Sequence, residues 1–210
     1  MNDIISVGKN LATGIAMHVN NAERGLKSNC CCYECGERLE AHQGEIKIWH
    51  FKHTNKSECK GNPDKGLHDL AISVLAGNNE IKIESNNIIR YTINSVEKKQ
   101  GNFIPDLTIF DDGGTKWWFE VAVTHFIEGN KMEYINSSSQ KCIEIDLSKI
   151  SRNINVEELT KVIFSQHKLI TIFPKTKSEI KSSEGLLLGA IITGVLFFLS
   201  RFLKRKRRAR

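Results

Sequence analysis

The chain has 210 residues, and 30 Lys and Arg against 24 Asp and Glu give it a formal net charge of +6. Six of the basic residues lie in the last seven positions, so residues 1–203 carry 24 basic and 24 acidic residues and are formally neutral. The sequence pI near 9.0 therefore describes a tail, which weakens the argument for a broad basic surface that binds nucleic acid. With 40% hydrophobic and 26% charged residues, the composition excludes a fibrous or disordered chain.

The N-terminus has an acid at position 3 and no apolar run, so the sequence predicts no secretory signal. We therefore expect the folded part to lie in the cytosol. The six cysteines are then expected to be thiols or metal ligands, because disulfides are rare in that compartment. The length suits one domain of roughly 150 residues with appendages.

The first predicted region spans residues 1–62. Two short apolar stretches within residues 3–18 predict a β-hairpin. A segment rich in Cys and His follows, from Cys30 to Cys59.

Residues 63–173 are predicted to form the core. Apolar residues at helical spacing predict a helix over 65–77, and later stretches predict further elements. The strands are expected at 81–85, 88–94, 103–110, 116–123, 142–147 and 169–173, and the helices at 127–139 and 156–166. We interpret the order from residue 65 to residue 166 as helix, three strands, helix, strand and helix, which is one strand fewer than the four stretches between residues 81 and 123. Consecutive strands favour a meander, and strand–helix–strand favours a parallel crossover. The expected fold is therefore α/β, with a mixed β-sheet flanked by helices.

The Cys/His-rich segment has the spacing of a metal site. Cys32 and Cys35 are separated by two residues, and His53 and Cys59 follow within the next 24 positions. Three Cys and one His are a common closed ligand set for structural zinc. His50 could replace His53 as the nitrogen ligand. The alternative is a set of unconnected thiols and surface histidines.

Two acidic residues are expected to meet in the core. Asp106 begins one predicted strand, and Glu120 lies in the next, so a hairpin between them would place the carboxylates side by side. Adjacent carboxylates among apolar residues repel each other unless a cation lies between them. Their hard oxygen ligands suit Mg²⁺ or Mn²⁺, which could hold a phosphate and activate water. In the alternative, both acids are partly exposed and pair with Lys116, Lys131 or Arg90.

A Pro-Asp pair followed by a Glu on the next strand resembles the PD-(D/E)xK, or restriction-endonuclease-like, fold. Residues 28–150 more closely resemble the competence protein CoiA-like family, whose members join a zinc-binding segment to a nuclease-like core. The matching pieces are Cys32, Cys35, 50–53, Cys59, His68, 105–106, 120–121, 124–125, Lys131 and 143–148. The resemblance implies a metal-dependent nuclease acting on DNA, with a part in DNA uptake, recombination or processing.

The sequence departs from the strict motif, in which a Lys lies two residues after the Glu. That position is Ala122, so either catalysis is lost or another basic group replaces the missing lysine. Lys131 on the following helix is the first candidate and His125 the second, while His68 could face the same site or only a helix surface. The alternatives to a nuclease are a catalytically inactive nucleic-acid-binding factor and a zinc-stabilised membrane interaction module.

The C-terminal sequence predicts membrane attachment. A polar linker (174–184) precedes a mostly apolar stretch (185–203) and a basic tail (204–210). At about 1.5 Å per residue, 19 helical residues span roughly 28 Å, close to the apolar core of a bilayer. We expect a transmembrane or membrane-inserted helix with the folded domain on the cytoplasmic side. The basic tail would then break the positive-inside rule unless the segment is shallow or re-entrant. A buried helix is the alternative.

Overall fold

The computed structural model describes residues 4–55, 58–84 and 87–175, and those up to Phe173 form one compact unit. The described residues of this unit form two β-sheets and three α-helices, as well as two short 3₁₀ turns. The strands are β1 (Val7–Asn10), β2 (Ala16–His18), β3 (Gly25–Cys31), β4 (Arg38–His42), β5 (His50–His53), β6 (Glu80–Glu84), β7 (Asn87–Val96), β8 (Leu107–Asp111), β9 (Lys116–Ala122), β10 (Lys141–Asp146) and β11 (Ile170–Phe173). The α-helices are α1 (Pro63–Ala76), α2 (Gly129–Ser138) and α3 (Val156–Ser165).

A second unit comprises Pro174–Arg210, of which only the first two residues are described. The rest of the predicted linker, the predicted membrane segment and the basic tail lie outside the described residues. Among the residues that are described, no helix is long and apolar enough to cross a bilayer.

The N-terminal sheet has five antiparallel strands in the order β2-β1-β3-β4-β5. The predicted hairpin corresponds to β1 and β2. The three other strands come from the Cys/His-rich segment and its approach, where the sequence analysis predicted no strand. Their buried side chains include Leu39, Ala41 and Phe51, which pack with Cys30 and Cys32 in a small core.

The second sheet is mixed and has the order β11-β10-β9-β8-β7-β6. Strands β6 to β9 form an antiparallel meander of four strands. Each overlaps one of the four predicted stretches between residues 81 and 123, so only the interpreted order, with three consecutive strands, was one strand short. The predicted crossover is present, because β9 and β10 are parallel and α2 lies between them in the chain. The fold is therefore the expected mixed α/β type, with a second sheet that was not expected.

Alternation along β9 sends its side chains into two different cores. Phe119 and Val121 belong to the main core, with residues of α1 and α3. Trp118 packs in a smaller cluster that contains Ile135 of α2. Glu120 has the same parity as Trp118, so its side chain leaves the sheet on the side of α2.

Helix α1 begins with defined capping. Asn62 is its N-cap, and its side-chain oxygen accepts a hydrogen bond from the backbone N–H of Lys65 at 2.9 Å. Pro63 follows as the first helical residue, where its missing N–H costs nothing. The capping fixes where the first turns of α1 begin, and His68 lies in the second turn.

Candidate metal centre and candidate active site

A turn, a strand end and the segment before α1 bring the predicted zinc ligands together. Cys32 follows β3 directly, and a tight turn returns the chain toward β4, with Gly36 at a φ of +73°. His53 ends β5, which pairs with β4. One ligand atom from each of the four predicted residues lies within 4.8 Å of all the others; we call Cys32, Cys35, His53 and Cys59 the Cys/His group.

The distances within the Cys/His group fit a tetrahedral zinc ion. With Zn–S bonds of about 2.3 Å and Zn–N bonds of about 2.0 Å, sulfur–sulfur and sulfur–nitrogen distances should be roughly 3.8 and 3.5 Å. The Cys32 and Cys59 sulfurs are 3.9 Å apart, and the Cys35 sulfur lies 3.3 Å from His53 Nε2. All six cysteines lie in the described residues, and none of them forms a disulfide. The group could therefore hold a structural metal such as zinc.

Backbone amides support thiolates at this group. The N–H of Glu34 donates to the Cys32 sulfur and the N–H of Gly61 to the Cys59 sulfur, each at 3.3 Å. Without a metal, burial raises the pKa of Cys32 to about 11, and a bound cation would remove that cost by pairing with the thiolate.

His50, the alternative ligand, is engaged elsewhere. Its Nδ1 lies 2.9 Å from the carbonyl oxygen of Ile48, and its ring stacks on that of His42. Of the two histidines, His53 is the one that lies in the Cys/His group.

The predicted acidic and basic site residues surround one cleft. The cleft has a volume of about 640 Å³ and lies among α1, the ends of β8 and β9, and α2. Its lining residues include His68, Asp106, Glu120, His125, Lys131 and Glu144.

Asp106 is held at the start of β8 by the neighbouring strand. Its Oδ2 accepts a hydrogen bond from the backbone N–H of Val121 at 2.7 Å and lies 3.2 Å from His68 Nε2. The amide fixes the carboxylate against β9. His68, which the sequence left as either a site residue or a surface residue, faces this carboxylate.

Glu120 is a buried acid with only half of its carboxylate paired. The residue is 8% exposed; its Oε2 lies 2.6 Å from Lys131 Nζ, but its Oε1 has no hydrogen-bond partner among the described residues. Burial raises the pKa of Glu120 to about 7, and the charge of Asp106 adds to the rise while Lys131 opposes it. An unpaired buried carboxylate oxygen is costly, and it is a position that a cation could satisfy.

Of the basic residues considered in the sequence analysis, Lys131 and His125 line the cleft and Arg90 does not. Lys131, in the first turn of α2, makes the ion pair with Glu120 that the sequence analysis had raised as an alternative. Arg90 instead pairs with Glu80 at 3.4 Å. His125 is exposed at the rim of the cleft.

The sequence analysis missed three residues beside the cleft. Glu97 contributes a carboxylate oxygen to a second compact group with His68 and Asp106, again with ligand atoms within 4.8 Å of one another. Asp69 lies 3.0 Å from His68 Nδ1, and Lys65 pairs with Asp69 at 2.7 Å. Asp69 follows His68 directly, so an His-Asp dipeptide was the one available signal. Nothing in the sequence marks Glu97, which follows β7.

Residues 17–62 match the family model of the competence protein CoiA, N-terminal domain. The N-terminal region of this chain is CoiA-like. The matched span contains the whole Cys/His group and ends at the residue that caps α1, so the cleft residues from His68 onward lie beyond it. Comparison with curated proteins and with solved structures finds no match.

The raised pKa of Glu120 leads to a stability prediction. Between its ordinary pKa of 4.5 and its folded value of about 7, the folded state binds more protons than the unfolded state. The free energy of unfolding should therefore fall as the pH rises through this window, by up to about 3 kcal/mol at roughly 1.4 kcal/mol per pKa unit. Urea unfolding without added divalent cations should reveal this fall in the wild type and a smaller one in Glu120→Gln.

The control for this measurement is Glu133→Gln, which changes an exposed carboxylate on α2. It should keep the pH dependence of the wild type. Equal pH dependence in wild type and Glu120→Gln would contradict the assignment of the shift to Glu120.

Proposed function

We propose that this chain is a competence-related, metal-dependent nuclease-like protein that acts on DNA. The observation that carries the proposal is the cleft in which Asp106, half-paired Glu120 and Lys131 meet. The order α1, meander, α2 and β10 supports a restriction-endonuclease-like core. The CoiA-like N-terminal region supports the association with competence.

The cleft has groups that could supply what phosphodiester hydrolysis requires. The anionic oxygens of the phosphate repel an attacking water, so a nuclease must place positive charge where negative charge accumulates. Asp106 and Glu120, with the Val121 carbonyl oxygen as a third ligand, would hold Mg²⁺ or Mn²⁺. The hard oxygen donors and the unpaired Glu120 Oε1 fit such an ion. When bound, the ion supplies Lewis-acid stabilisation and lowers the pKa of a water.

Lys131 takes the role of the lysine that is missing at Ala122. Its ammonium group lies 2.6 Å from Glu120 and reaches the cleft from α2 instead of from β9. In this position it neutralises charge on the phosphate and orients water. His125 at the rim is the second basic candidate for the same role.

Lys131→Ala should therefore lower the cleavage rate about 100-fold, which corresponds to about 2.7 kcal/mol of transition-state stabilisation. DNA binding, measured by fluorescence anisotropy, should change little. Lys161→Ala is the matched control, because Lys161 is exposed on α3 and pairs with Glu157. A rate for Lys131→Ala equal to that of the control would exclude Lys131 from the chemistry.

The function is tested by incubating zinc-loaded full-length protein with linear, nicked, branched and single-stranded DNA, and with RNA. Each substrate is tested with Mg²⁺, with Mn²⁺ and without divalent cation. Metal-dependent cleavage of DNA supports the proposal. Binding without cleavage of any substrate would favour the second candidate, an inactive nucleic-acid-binding factor, for which Ala122 is the specific observation. If the protein neither binds nor cleaves any of these nucleic acids, the zinc-stabilised membrane interaction module is the remaining candidate.

We also propose that the protein acts at a membrane, attached through residues 185–203 with its folded part on the cytoplasmic side. An apolar helix buried in the bilayer resists agents that disrupt only charge contacts. The full-length protein should therefore stay with the membrane fraction through high-salt and carbonate washes. Release by salt alone would show that only the basic tail binds.

A further inference from the structure

A pocket separate from the cleft lies beside the N-terminal sheet, and we call it the N-terminal pocket. Ser6, His18 and Asn20 line it from beside β1 and β2, Ile48 and Trp49 line it from the segment before β5, and the loop before α3 completes it. Its volume of about 340 Å³ lies at the lower end of the range of roughly 300–1,000 Å³ for small-molecule sites. None of its lining residues lines the cleft, and none of those described is Asp, Glu, Lys or Arg. The N-terminal pocket therefore suits a small chemical group without charge.

Hydrogen bonds tie the walls of the N-terminal pocket together. The Ser6 hydroxyl donates to the carbonyl oxygen of Arg152 at 2.6 Å, which joins the start of β1 to the loop before α3. Asn155, which also lines the pocket, is the N-cap of α3. Its side-chain oxygen accepts a hydrogen bond from the N–H of Glu158 at 2.9 Å, which leaves its amide nitrogen as a donor. A pocket that is already formed lowers the ordering cost of binding.

His18 provides a buried donor that lacks an acceptor. The residue is 3% exposed, and its Nδ1 accepts a hydrogen bond from the backbone N–H of Asn20 at 3.1 Å. In the neutral imidazole the hydrogen is therefore on Nε2, and Nε2 has no hydrogen-bond partner among the described residues. Burial lowers the pKa of His18, and the backbone of Asn153 opposes this shift without satisfying Nε2. Because Asn153 lines the same pocket, an acceptor atom of a ligand there would remove the cost of the unpaired buried donor.

Trp49 presents an aromatic ring beside these polar groups. It is 41% exposed, and the adjoining Ile48 is 68% exposed. The indole Nε1 donates to the carbonyl oxygen of Gly44 at 3.0 Å, so the ring is held in place and its polar atom needs no partner in the pocket. A fixed and exposed aromatic face next to hydrogen-bonding groups is the arrangement on which a nucleobase stacks. The exposed Lys47 precedes Ile48 in the chain and could contact a phosphate outside the pocket.

We propose that the N-terminal pocket binds one unstacked nucleobase of single-stranded DNA, with the base on Trp49 and its polar edge against His18 Nε2–H and the asparagine amides. A pocket without charged side chains fits a base and not a phosphate. In a duplex both faces of a base are covered by its neighbours, so the pocket accepts only a base that has left the stack. The inference rests on the proposal that the protein acts on DNA, and it adds a site for a single strand outside the cleft.

The test uses zinc-loaded full-length protein without added Mg²⁺ or Mn²⁺, so that cleavage does not enter the measurement. The probes are an end-labelled single-stranded DNA of mixed sequence, its duplex, and a strand of equal length without bases, each followed by fluorescence anisotropy. Trp49→Ala should weaken binding of the single strand about 10-fold (about 1.4 kcal/mol), and Trp49→Phe should weaken it less than about 3-fold. Neither substitution should change binding of the duplex or the base-free strand. The basic tail is present in every variant, so its phosphate contacts cancel in the comparison.

Tryptophan fluorescence gives a second readout that does not require Trp49→Ala to fold. The other two tryptophans, Trp117 and Trp118, are at most 9% exposed, so quenching by the single strand should arise from Trp49 and disappear in Trp49→Phe. Ile46→Ala is the matched control, because Ile46 is 99% exposed in the same segment and does not line the pocket. It should keep both the affinity and the quenching of the wild type.

The outcomes separate this inference from the proposed nuclease. Equal single-strand affinity in wild type and folded Trp49→Ala, or strand binding without quenching of Trp49, would overturn the inference even if the protein cleaves DNA. Quenching of Trp49 by free nucleosides but not by the strand would assign the pocket to a small molecule and would also overturn it. Single-strand binding that depends on Trp49 supports the inference even if no cleavage is found and the nuclease proposal fails.

Discussion

Asp106→Ala and Glu120→Ala should each abolish metal-dependent cleavage, with a loss of at least about 100-fold in rate. Asp106 and Glu120 are the two carboxylates proposed to hold the cation. Asp106 is anchored by the Val121 amide at 2.7 Å, and Glu120 by Lys131 at 2.6 Å. A loss of this size corresponds to about 2.7 kcal/mol or more of transition-state stabilisation.

The measurement is a single-turnover cleavage rate at saturating protein. DNA affinity should survive both substitutions, because most phosphate contacts are expected elsewhere on the protein. Asp112→Ala is the control, since Asp112 is an exposed acid in the turn between β8 and β9. Normal cleavage by Asp106→Ala would show that the active site is misplaced, even if the protein is a nuclease.

Removing a ligand of the Cys/His group should release zinc and destabilise the N-terminal sheet. The small core beneath this sheet contains only a few apolar side chains, so metal binding is expected to supply much of its stability. Structural zinc contributes about 10–16 kcal/mol of apparent binding free energy in small domains. We expect about one zinc per chain in the wild type, and loss of it in Cys35→Ser and His53→Gln.

Elemental analysis gives the zinc content, and thermal unfolding with and without a chelator gives the stability. His50→Gln is the matched control, because His50 lies outside the Cys/His group and should leave the zinc in place. Well-folded wild-type protein without metal would contradict the prediction. If His50→Gln loses zinc and His53→Gln retains it, then His50 is the zinc ligand and His53 is not.

The ligand spacing made the Cys/His group predictable, because the Cys-x-x-Cys turn is a local feature. The choice between His50 and His53 was not predictable, since pairing of β4 with β5 decides which ring faces the thiols. Strand β3 was missed because its sequence, Gly-Leu-Lys-Ser-Asn-Cys-Cys, lacks the β-branched and aromatic residues that mark a strand. Its strand conformation comes from pairing with β1 and β4.

The main sheet was easier to predict from the sequence, because β9 and β10 are apolar runs and α2 separates them in the chain. Asp106 and Glu120 could be expected to be close because they flank one hairpin. The contributions of Glu97 and Asp69 could not be foreseen. Glu97 is placed beside Asp106 by the hydrogen bond from its backbone N–H to the Asp106 carbonyl oxygen, and that contact depends on the register of β7 against β8.

Whether a cation bound in the cleft supports DNA hydrolysis is tested by the initial rate of DNA cleavage by zinc-loaded full-length protein as Mn²⁺ or Mg²⁺ is added. Wild type and Glu120→Gln are compared in the same preparation and under the same conditions. Cleavage should require the added cation, and its rate should fall at least about 100-fold in Glu120→Gln. If no DNA form is cleaved in a cation-dependent manner, or if the two proteins cleave at equal rates, the cleft is not a cation-dependent nuclease centre.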